Sequence, residues 1–204
     1  MLDRAALALL RPGLDAAARG LQRVGAKADQ VTMFGFVLGI VAAIAIARQQ
    51  FVAGFVLLLG GRLCDGVDGA LARLTAPTDR GGFLDISFDF LFYASIPLAF
   101  AFADPLANAL AAAALLAAFI GTATSFLAFA ALAAQRGLKS LVYPNKGIYY
   151  LGGLTEGTET IACFVLMCLW PQHFALFAWT FAALCALTIV TRLWAGWRTF
   201  SNPR

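Results

Sequence analysis

Six of the eleven acidic residues in this chain lie inside apolar stretches, where an ionised side chain is costly and marks a working site by default. Asp65 and Asp68 stand three apart, and Asp85 and Asp89 four apart; both spacings put side chains on one face of a helix. A short polar turn separates the two pairs. A helix running in with Asp65 and Asp68 and a helix running back with Asp85 and Asp89 therefore bring four carboxylates to one depth, at ~1.5 Å rise per residue. Four facing carboxylates do not all stay ionised without compensation, and the nearby cations are few: Arg62, Arg73 and Arg80. One or two divalent metal ions are the natural partners, and an all-oxygen donor set suits Mg²⁺, Mn²⁺ or Ca²⁺ rather than zinc. Hard dications near a membrane surface point to a diphosphate substrate, clamped while one phosphorus is attacked. Gly66 and Gly69, wedged between the acids, and Ala72 one turn on leave room for a ligand against the backbone. Gly35-x3-Gly39 and Gly153-x3-Gly157 read instead as helix-packing glycines.

The elements that must carry these residues follow from composition. The chain has 204 residues, 61% of them hydrophobic and 13% charged, with a mean hydropathy of +0.81. A soluble domain carries about twice that share of charge, which leaves an integral membrane protein with no room for a large domain outside the bilayer. The net charge of +4 does not imply nucleic acid, because the basic residues are scattered singly at the ends of apolar runs. Cys64, Cys163, Cys168 and Cys185 sit within apolar runs without metal-ligand spacing and read as small buried hydrophobes. The apolar run Leu7 to Leu10 is too short for a signal peptide's hydrophobic region.

Leu7, Leu10, Leu14, Ala17, Leu21 and Val24 recur at helical spacing opposite Arg4, Arg11, Asp15, Arg19 and Arg23. This predicts an amphipathic helix over residues 1–30, broken near Pro12 and lying in the membrane interface. Six apolar stretches follow: Val31 to Ala47, Phe51 to Ala72, Phe83 to Phe102, Leu106 to Ala134, Gly147 to Trp170 and Phe174 to Trp194. The expected fold is an all-α integral membrane protein: one domain over 1–204, with six transmembrane helices over 31–197 behind the interfacial helix. Thirteen Lys and Arg residues fall on the side of the termini and the second and fourth loops, against Arg48 alone on the other. That asymmetry predicts cytoplasmic termini and a cytoplasmic site.

Read as they stand, the residues Asp65-x2-Asp68-Gly69-x2-Ala72-Arg73-x7-Gly81-x3-Asp85-x3-Asp89 resemble the motif of the CDP-alcohol phosphatidyltransferase family, with eight positions matching in order. The spacing from Arg73 to Gly81 is one residue shorter than the family's usual eight. The resemblance implies a reaction in which CMP is displaced from a CDP-linked lipid or alcohol, with CDP-diacylglycerol the expected donor, and the phosphoryl group is joined to an acceptor hydroxyl. It makes Asp65, Asp68, Asp85 and Asp89 ligands of two Mg²⁺ or Mn²⁺ ions, with Asp89 also the general base. It makes Gly69, Ala72 and Arg73 the nucleotide and diphosphate site. Ala28-Asp29-Gln30-Val31-Thr32 resembles the family's Pro-Asn-x-x-Thr start of the first span; Ala28 and Asp29 replace its Pro-Asn, so only Thr32 carries over. An inner-membrane homodimer in phospholipid synthesis is implied as well.

Arg136, Lys139, Lys146 and Arg192, at the cytoplasmic ends of the later spans, could hold a phosphorylated acceptor through charge-assisted hydrogen bonds. Positive-inside anchoring is the plainer alternative for Lys139 and Lys146. Arg192, within apolar sequence, calls for an anion, and this favours an acceptor such as glycerol 3-phosphate. Glu156 and Glu159, placed three turns into the fifth span, are expected to line a cavity near the acceptor or the metals, or else to pair with Arg62 or Arg192. Two other functions account for intramembrane acids. A cation transporter would place them nearer the bilayer midplane and leaves Gly69, Ala72 and Arg73 unexplained. A prenyl-diphosphate transferase has two separate aspartate-rich motifs in a longer chain.

Overall fold

The computed structural model describes residues 2–138 and 153–201, with side chains from residue 10 onward. Those residues fold into seven α-helices with no strand among them: α1 (Leu2–Arg23), α2 (Ala28–Ala47), α3 (Phe51–Leu74), α4 (Asp79–Ala103), α5 (Pro105–Gln135), α6 (Gly157–Leu169) and α7 (Phe174–Phe200). Helices α2, α4, α5 and α7 are long and apolar enough to cross a membrane. Helix α3, at 24 residues, is long enough as well, but it carries Arg62 at its middle and Asp65, Asp68 and Arg73 in its second half. Helix α6 has 13 residues, a length of about 20 Å against the ~30 Å of a bilayer core.

Close contact between α2 and α3 sets the framework. A methyl group added at Gly35 would lie 2.9 Å from the Cys64 Cβ and 3.2 Å from the Gly61 carbonyl oxygen, so only a bare backbone fits this crossing. Gly39 gives the same clearance to Phe92 of α4, which confirms this pair as packing glycines. Phe92, Ile96 and Phe100 of α4 then bury against Leu58, Leu115, Phe164 and Phe174. Phe100 stacks on Phe174 with centroids 4.6 Å apart, and Phe92 meets Phe164 edge-on at 6.1 Å. This apolar core fills the part of the bundle away from the α3–α4 turn and leaves the polar residues to the other end.

Helix α1 runs through Pro12 without the break expected there. An interior proline removes one main-chain hydrogen bond and its ring crowds the carbonyl one turn back, a cost that can kink a helix without ending it. Part of its apolar stripe faces protein: Leu14 and Ala18 are buried against Ala70 and Leu71 of α3. Gly66 belongs to this contact, since a methyl group there would lie 3.0 Å from Leu14. The expectation of a ligand-lining role at Gly66 is corrected accordingly; its missing side chain seats α1.

Helix α6 starts later than the sequence pattern indicates. Gly153 to Glu156 precede it as irregular chain, and Glu156 is its N-cap rather than a residue three turns into a span. Irregular backbone within a bundle must have its N–H groups satisfied by protein. Here the Gly153 N–H donates to Glu156 Oε1 (3.1 Å), the Leu154 N–H to Thr188 Oγ1 (3.2 Å) and the Glu156 N–H to Glu159 Oε2 (3.2 Å). Gly153 packs against Thr188 and Arg192, as a packing glycine should.

Candidate active site

Helices α3 and α4 run antiparallel from the short turn of residues 75–78, closed by the Thr78 hydroxyl, which accepts from the Gly81 N–H at 3.0 Å. Asp65, Asp68 and Asp85 meet here, with one carboxylate oxygen from each within 4.8 Å of the others. Asp68 is buried, Asp65 half-buried and Asp85 exposed. Asp68 Oδ2 is buried and has no hydrogen-bond partner. Three convergent carboxylates, one with an unsatisfied buried oxygen, are a donor set that fits a hard divalent cation. Thr32 of α2 borders the same cleft, together with Asp65, Asp85, Phe88 and Asp89.

Asp89 lies one turn beyond Asp85 and lines this cleft, but its carboxylate is engaged differently. Arg62 of α3 donates from Nη1 to Asp89 Oδ1 at 2.6 Å, and the same nitrogen is 3.6 Å from Asp65 Oδ2. The guanidinium carbon rests 4.3 Å from the Phe92 ring centroid. In the sequence Arg62 stands only as a nearby cation; its place three residues before Asp65, inside an apolar run, is the signal that could have marked it as part of the site. It pairs with the aspartates and not with Glu156 or Glu159.

Gly69 keeps the open face expected of it: a methyl group there would meet only Arg73 Nη1, at 3.5 Å. Ala72 is half-buried and Arg73 exposed, so this strip of α3 is accessible beside the carboxylates. The shortened turn has a visible counterpart. Arg80 donates from Nε to Asp29 Oδ2 at 2.8 Å, and Asp29 also sits against Gly81. The residue that replaces the motif's asparagine thus ties the start of α2 to the start of α4.

Of the basic residues expected at an acceptor pocket, Arg136 and Arg192 lie among the described residues. Arg192 is 7% exposed, donates from Nη1 to the Thr122 carbonyl at 3.1 Å and lies over Phe126. Arg136 donates to the Phe200 carbonyl at 3.4 Å and lies over that ring. Lys139 and Lys146 lie outside the described residues. Glu156 and Glu159 cap the start of α6.

The chain is similar to known proteins in sequence and in fold. The family model for CDP-alcohol phosphatidyltransferases matches residues 26–190. The inner membrane protein YnjF of Escherichia coli is 52% identical over 202 residues, covering 99% of this chain and 98% of its own length. An archaetidylinositol phosphate synthase of Pyrococcus horikoshii is 39% identical over 85 residues, 41% of this chain and 45% of that protein. In fold, the chain is similar to phosphatidylinositol phosphate synthase (PgsA1) of Mycobacterium tuberculosis, solved with CDP-DAG bound: the TM-score is 0.69 at 23% identity, covering 90% of this chain and 93% of that one. The same enzyme has been solved in complex with manganese and citrate, again with a TM-score of 0.69. A match across most of the bundle, aspartate pairs included, and a full-length relative at this identity make the chain a member of the CDP-alcohol phosphatidyltransferase family and one of its enzymes.

Proposed function

We propose that this enzyme transfers the phosphatidyl group of CDP-diacylglycerol to a hydroxyl of a phosphorylated polar acceptor, releasing CMP, within the inner membrane. The observation that carries this is the meeting of Asp65, Asp68 and Asp85 beside the open face at Gly69. The CDP-DAG and the manganese held by PgsA1 support the donor and the metal. The name of YnjF supports the location.

In this mechanism Asp65, Asp68 and Asp85 would hold one or two divalent ions, Mg²⁺ or Mn²⁺, with Asp89 as a further ligand. When bound, such ions neutralise the diphosphate and polarise the phosphorus under attack. Gly69 and Ala72 admit the diphosphate against the α3 backbone, with Thr32 at the cleft border, and Arg73 supplies a cation to the nucleotide phosphate. Asp89 takes the proton of the acceptor hydroxyl as its oxygen attacks the lipid-bearing phosphorus. The bond from that phosphorus to the bridging oxygen breaks, and CMP leaves with the bridging oxygen.

Arg192, with Arg136, is the cation proposed for the acceptor phosphate. A guanidinium has five N–H donors in a planar fork, so one edge can serve the Thr122 carbonyl while another meets a phosphate. Glycerol 3-phosphate is the acceptor favoured here, and the names of PgsA1 and the archaeal relative bring inositol phosphate forward as the other. Six crossings, cytoplasmic termini and a homodimer complete the proposal.

The deciding experiment incubates purified enzyme with labelled CDP-diacylglycerol, Mg²⁺ or Mn²⁺ and single acceptors: glycerol 3-phosphate, an inositol phosphate, serine and inositol. Product with a phosphorylated acceptor alone supports the proposal. Consumption with serine or inositol alone rejects a phosphorylated acceptor and returns Arg192 to bracing α7 against α5.

A further inference from the structure

Arg62 is a long, charged side chain with only 14% of its side-chain surface exposed, placed between two aspartates. Burying a guanidinium is costly unless its partners are fixed. Here they are fixed by one helix: Asp89 and Phe92 both belong to α4, one turn apart, and they hold the guanidinium by a 2.6 Å hydrogen bond and by the ring face. Because the bond is made to Asp89 Oδ1, it orients the carboxylate and leaves Oδ2 as the oxygen for chemistry.

We propose that Arg62 is a positioning residue: it aims the Asp89 carboxylate and occupies, as a fixed cation, part of the charge that the aspartates would otherwise give to divalent metal. The inference rests on the proposed role of Asp89 and deepens it. Its consequence is an unusual pair of effects. Without Arg62, Asp89 loses its orienting bond and is pushed by Asp65 across the cleft, so turnover falls. The site also becomes more negative by one charge, so it binds a dication more tightly. A residue needed only for packing would weaken both together.

The test uses the full-length enzyme in detergent micelles. Mn²⁺ affinity is read without substrate, from the free-ion EPR signal, alongside kcat and the KM for CDP-diacylglycerol. Arg62→Gln is expected to lower kcat about 10–100-fold, as loss of a supporting partner does, while the Mn²⁺ Kd falls several-fold. The KM for CDP-diacylglycerol is expected to stay within about twofold, because the donor's own contacts are untouched. Unchanged kcat, or loss of Mn²⁺ affinity in step with kcat, overturns the inference. If Arg62→Gln does not fold, Arg62→Lys decides, since it keeps the charge and loses the planar fork. A kcat down about tenfold at unchanged Mn²⁺ Kd supports positioning; wild-type kcat or weakened Mn²⁺ binding rejects it. Wild-type enzyme that neither binds Mn²⁺ nor forms CMP from CDP-diacylglycerol would instead reject the proposed function itself.

Discussion

Each of the four aspartates occupies a different environment, and their expected contributions differ accordingly. Asp68 is buried with an unsatisfied oxygen, Asp65 shares Arg62 with Asp89, and Asp85 is exposed where it meets the other two. Asp89→Asn keeps the shape and the bond from Arg62 but removes the proton acceptor. We expect transfer to fall by at least about 10²-fold while CDP-diacylglycerol still binds, measured by turnover and by equilibrium binding of the nucleotide. Near-normal turnover would take Asp89 out of the role of base. The meeting of Asp65, Asp68 and Asp85 was legible from two spacings and one short turn, whereas the engagement of the fourth carboxylate, Asp89, by Arg62 was not. Arg62 was visible only as a nearby cation, because nothing in a linear sequence says which of several buried acids a flexible arginine will reach. Gly66 and Gly69 read alike on paper and differ in the fold, since what distinguishes them is α1, which touches one and not the other.

At the scale of the helices, small residues do two separable jobs. Gly35→Ala pushes a methyl against the Cys64 Cβ and the Gly61 carbonyl, and backbone cannot yield cheaply. We expect a stability loss of about 1–3 kcal/mol, seen as a lower unfolding midpoint in detergent. At Gly69 an added Cβ meets only the mobile end of Arg73, so for Gly69→Ala the midpoint should hold while activity falls, because the added methyl narrows the strip reserved for the diphosphate. Equal destabilisation by both would remove the distinction. The helices themselves were largely legible, since apolar length and helical periodicity are strong signals. Two were misjudged for physical reasons. Pro12 was expected to break α1, yet the helix continues through it. The polar run ahead of α6 is expected to lie within a continuous span, whereas its chain is irregular there and its N–H groups are met by the Glu156 and Glu159 carboxylates and by Thr188 of α7.

The whole molecule segregates its chemistry. Aromatic packing fills one part of the bundle, and the carboxylates and Arg62 gather near the α3–α4 turn. With the basic residues biased to the side of that turn, we expect cytoplasmic termini and site. Single cysteines placed at residue 77 and at residue 172, in a background cleared of the native four, test this with a membrane-impermeant thiol reagent. Residue 172 should be labelled from the periplasm, and residue 77 only after the membrane is opened; the reverse pattern would invert the orientation. The central claim is that clustered carboxylates use divalent metal to release CMP from CDP-diacylglycerol. Its most direct measurement is CMP formation by the purified enzyme supplied with acceptor, first in excess chelator and then with Mn²⁺ restored, run beside Asp68→Asn. We predict no CMP in chelator, full recovery on adding Mn²⁺, and no recovery in the variant; CMP formation that continues in chelator, or an Asp68→Asn enzyme as active as wild type, would contradict it.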